Sequence, residues 1–175
     1  MTPMARPPLS LEYTLLGFLR QQPMHGYQIS RQLARIDGLG LVWRVKLSLL
    51  YALLNRLEAE GLIEARRETQ PSRPMRKVFH LTQEGERVFS RWLETPVMQP
   101  RAMRIEFLAK LYFARMEPPP QPGLLLERQR ETCKEWLASM EAKLAVSHTE
   151  GGYPQAVWSF RKEQIQGMMR WIDQL

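Results

Sequence analysis

Leucines recur at helical spacing in the segment from residue 44 to residue 61. Residues three or four positions apart lie on one face of an α-helix, so this segment predicts an amphipathic helix with one buried side. The predicted buried side consists of Leu47, Leu50, Leu54 and Leu57, with Leu53 beside them. Gly61 follows where helices commonly end in the left-handed conformation. The pattern therefore predicts a helix over Arg44–Gly61, and this helix is the central element of the predicted fold.

Two shorter helices are predicted before this segment. The first extends from Leu11 to about Gln22, with Ser10 as its N-cap. The second extends from about Gly26 to Asp37, where the apolar positions again follow helical spacing. Its predicted buried positions are Ile29, Leu33 and Ile36. Three helices in this order are typical of a helix-turn-helix unit.

Two β-strands are predicted directly after the third helix. Alternating apolar positions indicate strands over Leu62–Thr69 and Met75–Thr82, and two prolines between them favour a turn. Thr82 is the predicted N-cap of a fourth helix that ends near Glu94. A hairpin after the third helix predicts a winged helix-turn-helix domain over residues 1–96.

Residues 97–175 carry only helical patterns, so the fold class is mainly α with a small β-hairpin wing. Helices are predicted over Arg101–Met116, from about Leu124 to Ser147, and from Pro154 to the end. The last helix has apolar residues spaced as in helices that pack against another helix. These residues are Trp158, Ile165, Met168, Ile172 and Leu175. They predict a subunit interface, so residues 97–175 are interpreted as an α-helical dimerisation domain.

The chain is basic, with a net charge of +7 and a pI near 9.9. A surplus of positive charge suits nucleic acid, an anionic membrane or an acidic protein as the partner. The segment Arg66–Lys77 contains five basic residues and one acidic residue. The predicted hairpin therefore carries a large part of the excess charge.

The single cysteine, Cys133, excludes a disulfide within the chain and favours a reducing compartment. Charged residues interrupt every apolar run before the ~18 residues that span a bilayer. The N-terminus lacks the pattern of a signal peptide. We therefore expect a cytoplasmic protein. Cys133 is either a packing residue, which is the commoner case, or a redox switch, which requires an exposed thiolate.

No catalytic or metal-binding motif is found in the sequence. His25, His80 and His148 are scattered, without a second ligand at suitable spacing. Gly38 and Gly40 follow a predicted helix rather than a strand, so they do not form a dinucleotide-binding turn. Nucleophile-elbow and zinc-protease motifs are missing as well. We expect no enzyme activity, no metal and no cofactor.

Several stretches of the N-terminal region together resemble the PadR family of bacterial transcriptional regulators. They are Leu15–Leu19, Pro23–Ile29, Leu50–Ile63, and Arg73–Thr82 with Gly85. Their order and spacing over about residues 11–94 make the resemblance specific. The C-terminal helices resemble the helical tail of the larger family members in layout rather than in motif.

This resemblance implies a homodimer that binds a near-palindromic DNA operator through two winged helix-turn-helix units. It implies that the C-terminal helices dimerise, and that the protein represses transcription. In many such proteins a small aromatic or drug-like effector releases the DNA. By position, Tyr51 matches the family's tyrosine that meets the DNA backbone, and Arg73, Arg76 and Lys77 match its basic wing.

Two positions of the third helix depart from the family pattern. The family usually has a Ser-x-Gly-Thr run before the Leu-Tyr pair, where this chain has Lys46-Leu47-Ser48-Leu49. The family's common proline after the tyrosine is Ala52 here. Leu49 offers a contact to a base methyl group rather than a hydrogen bond. The operator sequence is therefore not transferable from relatives.

The predicted DNA-binding residues fall into two groups. Phosphate contacts are expected from Lys46, Ser48, Tyr51, Arg66, Arg67 and Arg76. Leu49 and Asn55 are the predicted base readers, and Arg73 is predicted to enter a minor groove. Arg56 and Lys77 complete the predicted set.

Two interpretations stay open at the level of sequence. Aromatic and methionine side chains suit flat hydrophobic ligands, so some in the C-terminal half either line an effector pocket or form ordinary helix-packing core. These are Trp136, Met140, Met169 and Trp171. The alternative to a DNA-binding regulator is a winged-helix module that binds a protein partner, although such modules tend to lose basic residues from the helix start and the wing.

Overall fold

The computed structural model of the chain describes residues 10–68, 76–147 and 152–175. These ranges contain seven α-helices and one small antiparallel sheet. The helices are α1 (Ser10–Gln21), α2 (Gly26–Leu33), α3 (Leu47–Ala59), α4 (Gln83–Glu94), α5 (Glu106–Ala114), α6 (Gln121–Ser147) and α7 (Tyr153–Ile172). The strands are β1 (Met24–His25), β2 (Ile63–Glu68) and β3 (Arg76–Leu81). The predicted fold class, a mainly helical winged helix-turn-helix followed by C-terminal helices, is confirmed.

The sheet has the strand order β1-β3-β2. Strands β2 and β3 form the predicted hairpin, with Ile63 opposite Leu81 and Ala65 opposite Phe79. Strand β1 was not predicted, because two residues are too few to show a period. Its pairing of Met24 with Phe79 ties the start of α2 to the wing.

The predicted buried side of α3 is correct except at its first position. Leu50, Leu54 and Leu57 are buried, but Leu47 is 47% exposed. Leu47 is the first residue of α3, and a helical side chain points back towards the helix N-terminus. Its side chain is therefore displaced from the core. At the other end Gly61 has a φ of 71°, so the predicted left-handed end of this helix is confirmed.

Helix α2 is shorter than predicted because the chain turns after Leu33. The backbone N–H of Gly40 donates to the carbonyl oxygen of Arg35 at 3.0 Å, and the guanidinium of Arg35 pairs with Asp37. Ile36 lies in this turn and is 84% exposed, so its predicted burial is wrong. The predicted N-cap Ser10 is itself the first residue of α1.

The predicted helix Arg101–Met116 is divided into two elements. A short 3₁₀ helix occupies Pro100–Arg104, and α5 begins after Ile105, whose backbone lies outside the helical region. Helix α6 begins at Gln121, earlier than predicted, because a proline fits the first turn of a helix. Helix α7 has Pro154 in its first turn, as predicted.

One hydrophobic core extends across the predicted domain boundary at residues 96 and 97. The ring of Phe113 in α5 lies edge-on to Phe18 of α1 at 5.4 Å and to Phe89 of α4 at 5.5 Å. Farther on, α6 and α7 form an antiparallel pair that buries Ile165 and Ile172. The winged unit and the C-terminal helices are therefore packed as one body.

A buried lysine joins the end of α4 to α5. The ammonium of Lys110 donates to the carbonyl oxygens of Trp92 at 2.7 Å and Thr95 at 2.5 Å, and lies 3.4 Å from the carboxylate of Glu106. That carboxylate also accepts a hydrogen bond from the indole of Trp92 at 3.0 Å. Burial lowers the pKa of Lys110, while Glu106 opposes this shift. Lys110 thus caps the last carbonyls of α4, where helices favour a cation.

We predict that Lys110→Met lowers the free energy of unfolding by about 3 kcal/mol, because two carbonyls and a carboxylate lose their donor. The matched control is Lys134→Met, which removes an exposed ion pair with Glu131 and costs less than about 1 kcal/mol. Denaturant unfolding followed by circular dichroism measures both. Equal stability of the two variants would show that Lys110 does not hold this junction.

Candidate nucleic-acid interface

Exposed side chains form a strip along α3, from the residue before the helix to Asn55. Lys46 is the residue before the helix, and its backbone is extended. Five of the residues predicted to meet DNA are exposed along this strip: Lys46, Ser48, Leu49, Tyr51 and Asn55. The strip contains a cation, two hydrogen-bonding groups, an aromatic ring and an apolar residue. Such a mixture is able to contact both phosphates and base edges.

Tyr51 is positioned by the start of α2. A Cβ atom at Gly26 would lie 2.6 Å from a ring carbon of Tyr51, so the ring occupies space that only a glycine leaves free. His25 caps the same end of α2, since its Nδ1 accepts from the backbone N–H of Gln28 at 3.2 Å. The Gln28 side chain accepts in return from the backbone N–H of His25 at 3.0 Å. This reciprocal cap fixes the backbone against which Tyr51 packs.

A groove of about 640 Å³ runs between α2, α3 and β3. It brings three of the predicted DNA-binding residues together, namely Tyr51, Asn55 and Lys77. It also adds residues of α2 that the sequence analysis did not select, among them the exposed Tyr27 and Arg31. Arg31 could have been selected from the sequence as a basic residue on the polar face of a predicted helix. Its position in the same groove as Tyr51 and Asn55 depends on how α2 and α3 pack together.

Arg56 takes part in the fold rather than in the exposed strip. Its guanidinium lies 3.2 Å from the carboxylate of Glu12 and 2.8 Å from that of Glu60. Glu12 is completely buried in α1. The hydrogen bond with Glu60 raises the pKa of Arg56. The prediction placed Arg56 among the DNA contacts, but the structure commits it to ion pairs because a buried carboxylate requires a cation nearby.

The basic residues of the wing differ in how they are held. Lys77 pairs with Glu58 of α3 at 2.6 Å and lies over the ring of Phe79. Arg66 pairs with Glu64 on its own strand, and the exposed Arg67 is opposite Lys77 in the ladder. The predicted minor-groove residue Arg73 lies outside the described residues. Arg76 is the first residue of β3.

The predicted subunit seam on α7 is partly used within the chain. Ile165 and Ile172 are each 1% exposed, because this side of α7 packs on α6. Trp158 and Met168 are half-buried, and Leu175 is 44% exposed. The assignment of Ile165 and Ile172 to a partner is therefore corrected. The most exposed large apolar residues of α7 are Tyr153 and Phe160.

The residues predicted for an effector pocket are all half-buried and packed against the core: Trp136, Met140, Met169 and Trp171. The ring of Trp171 lies edge-on to Phe107 at 6.0 Å. A separate groove of about 740 Å³ lies at the junction of α4 and α5, where Tyr13 and Trp92 stack with ring centroids 5.1 Å apart. The core interpretation therefore fits the first cluster better than the pocket interpretation does.

Cys133 is buried, and burial raises the pKa of its thiol. These properties fit a packing residue and oppose an activated thiolate. Within residues 10–68, 76–147 and 152–175, no group of three or more His, Cys, Asp and Glu residues has the arrangement of a metal site. None of the helices described in these ranges is long and apolar enough to cross a membrane.

The helix order and the hairpin define a winged helix-turn-helix protein with a C-terminal helical region. The transcriptional regulator PadR-like family matches residues 15–91, and the virulence activator alpha C-terminal family matches residues 103–175. The chain belongs to the PadR family of transcriptional regulators, and this is not an enzyme family.

Individual relatives support this assignment. The chain is 30% identical over 149 residues to the negative transcriptional regulator PadR of Bacillus subtilis, covering 85% of this chain and 76% of that protein. It is 26% identical over 96 residues to a probable transcriptional regulator of Mycobacterium tuberculosis, covering 55% and 50%. The crystal structure of Bacillus subtilis PadR in complex with operator DNA has a TM-score of 0.50 and 24% identity over 97% of each chain. This last likeness concerns the fold.

Proposed function

We propose that this protein is a homodimeric DNA-binding repressor of transcription that a small hydrophobic or aromatic effector releases from a near-palindromic operator. The exposed strip of α3 beside the basic wing carries the DNA-binding part of the proposal. The relative from Bacillus subtilis is a negative regulator, and its structure was solved with operator DNA. These names support the same role and sign of regulation here. A protein with this role works in the compartment that holds the chromosome, which we take to be the cytoplasm.

In the proposed complex, some side chains bind DNA phosphates and others read the bases. Lys46 and Tyr51 bind phosphates, and Arg31 adds a cation from α2 on the other side of the groove. Asn55 points outwards from α3 and has the donors and acceptors to read a base edge. Arg67 and Lys77 continue the positive surface onto the wing. Lys77 already pairs with Glu58, so its replacement would also remove an ion pair within the protein. Substitution of Lys46 or Arg67 therefore tests phosphate binding more directly.

The alternative function is a module that binds a protein through the same surface. Such a module has no need of cations at the start of α3 and on the wing, where this chain has Lys46, Arg66 and Arg67. The positive charge at the start of α3 and on the wing therefore favours DNA. A measurement of the salt dependence of duplex binding separates the two functions.

We predict that duplex binding weakens steeply with salt. If each protomer neutralises about 3–4 phosphates, the slope of log K against log salt is about −5 to −7 for the dimer. Lys46→Met should make this slope less negative by roughly two, because each of two protomers loses one phosphate contact. Fluorescence anisotropy with a labelled duplex measures the slope, and Lys134→Met on α6 is the control.

A slope near zero in the unmodified protein would contradict DNA binding through phosphates. Failure to bind any duplex at low salt would favour the protein-binding module instead. An equal loss of slope in Lys46→Met and Lys134→Met would mean that the strip on α3 does not contact the backbone.

The dimer is proposed to form through the outward face of α7. The side of α7 that faces α6 already buries Ile165 and Ile172, so a partner needs other residues. Tyr153 and Phe160 are 82% and 63% exposed, and Leu175 at the end of the chain is 44% exposed. Tyr153 and Phe160 lie seven positions apart, two helical turns, on one side of α7, and Leu175 follows shortly after the helix ends. An exposed apolar stripe of this kind is typical of a subunit contact.

We predict that Phe160→Asp shifts the protein from dimer to monomer, because a charge would be buried between the two copies of α7. The matched control is Ser159→Asp, which adds the same charge at the neighbouring exposed position. Sedimentation velocity at several protein concentrations measures both variants. A Phe160→Asp protein that remains dimeric, like the control, would place the interface elsewhere.

The effector is proposed to bind in the junction groove between α4 and α5 rather than in the cluster around Trp136. The groove is open, has a volume of about 740 Å³ and presents the stacked Tyr13 and Trp92. Flat apolar ligands stack well on such rings. The groove also adjoins Lys110, which joins the winged unit to the C-terminal helices. A ligand here is therefore placed to alter the angle between them.

We predict that Ala102→Trp, which fills the junction groove, keeps DNA affinity but abolishes the response to compounds that release the unmodified protein from DNA. Candidates come from a thermal-shift screen of planar aromatic compounds, since a ligand at 100 times its Kd adds about 2.7 kcal/mol of stability. Ala138→Trp on the exposed side of α6 is the control. If Met140→Trp abolishes the response and Ala102→Trp does not, the effector binds in the predicted cluster instead.

A further inference from the structure

The first turn of α3 exposes two leucines at the point where a recognition helix enters DNA. Leu47 and Leu49 are each 47% exposed, whereas Leu50 and Leu54 on the same helix are 1% and 0% exposed. Ser48 lies between the two and is also exposed. One turn later Ala52 is exposed as well. The leading edge of the helix is thus mainly apolar, although it lies within a basic surface.

We propose that Leu47 and Leu49 read the 5-methyl groups of thymines in the major groove, so that this protein selects its operator by methyl contacts at the helix start. The proposal rests on the DNA-binding function proposed above. It names two residues that determine specificity and the chemical group that they recognise.

The chemistry of leucine limits what this edge of the helix is able to read. A leucine side chain has no hydrogen-bond donor or acceptor, so it discriminates bases only by shape and apolar contact. In the major groove, thymine is distinguished from the other bases by its C5 methyl group. Two leucines in the first turn therefore favour base steps that place thymine methyls beside them. The small side chain of Ala52 allows the helix to approach the bases closely.

The surrounding charge favours DNA over an apolar protein surface as the occupant of this edge. Arg44 and Lys46 are exposed directly before the two leucines, and Arg31 and Arg67 lie on neighbouring elements. Duplex DNA carries a negative phosphate on both sides of the groove, so it satisfies these cations while the leucines enter between them. An apolar protein partner would leave the cations buried without counter-charges.

The size of the expected effect follows from the burial of one methyl group. Burying a methyl or methylene group contributes a factor of roughly fourfold in affinity. Replacing thymine by uracil removes only this methyl group and leaves the hydrogen-bonding edge unchanged. Replacing a thymine that contacts a leucine by uracil should therefore lower the affinity of the protein for the duplex roughly fourfold.

The experiment uses a duplex that is first selected by the full-length protein from a random pool. Thymines of the selected half-sites are then replaced by uracil one position at a time, and the Kd of each duplex is measured by fluorescence anisotropy. The same duplexes are titrated with Leu47→Ala, Leu49→Ala and the control Ile36→Ala, which truncates an exposed residue outside α3. Thermal unfolding of each variant confirms that it is folded, as expected for exposed positions.

The proposal predicts that uracil at one or two positions of each half-site weakens the unmodified protein and the Ile36→Ala control roughly fourfold. Each leucine variant should lose this discrimination at one position. Leu47→Ala should bind with similar affinity the two duplexes that differ only at the thymine read by Leu47, and Leu49→Ala should do the same at the thymine read by Leu49. Tight binding that is indifferent to uracil at every position would overturn methyl reading while leaving the proposed DNA-binding function intact. A protein that binds no duplex at low salt would overturn both.

Discussion

The burial of α1 is the constraint on which the rest of this structure depends. It packs against α3 and β3 of the winged unit, and against α4 and α5. Leu15, Leu16 and Phe18 are each at most 1% exposed, and burying such a side chain contributes about 1.5–3 kcal/mol. The winged unit and the C-terminal helices therefore share one core. Separating them would expose α1 to water.

Buried charges decide which basic residues remain available for a partner. The carboxylate of Glu12 within α1 lies beside Arg56, and the ammonium of Lys110 is surrounded by the carbonyls at the end of α4. Removing a charge from water costs free energy unless an opposite charge or dipole replaces the solvent. Arg56 therefore serves the fold, although it lies on the recognition helix. Among the described residues, Lys46 and Arg67 form no such ion pair, and both are exposed at the surface.

The shared core also shapes how the proposed effector would act. A ligand changes an equilibrium only by binding one arrangement more tightly than the other. The junction groove lies where the end of α4 meets α5, and Lys110 fixes their present spacing. A ligand that favours a different spacing would tilt the winged unit relative to the dimer interface proposed on α7. In the proposed dimer, the distance between the two copies of α3 would then change without any contact between ligand and DNA.

Much of the fold and the position of the candidate site were predictable because they depend on local periodicity. The 3.6-residue period of the leucines in α3, the alternation in β2 and β3, and the cap Thr82 are properties of short segments. The exposed placement of Tyr51 and Asn55 follows from the same period. Strand β1 was not predictable, because its two residues become a strand only by pairing with β3, far away in the sequence.

The sequence by itself determined the winged helix-turn-helix pattern, the all-helical C-terminal half and the excess of positive charge near the wing. The tertiary structure alone decided that Arg56 lies beside a buried glutamate and that Ile165 is buried within its own chain. A helical period tells which residues share a face, but every apolar or charged face has several candidate partners. The choice among them is made when distant segments pack, since only then is it settled which groups lose contact with water.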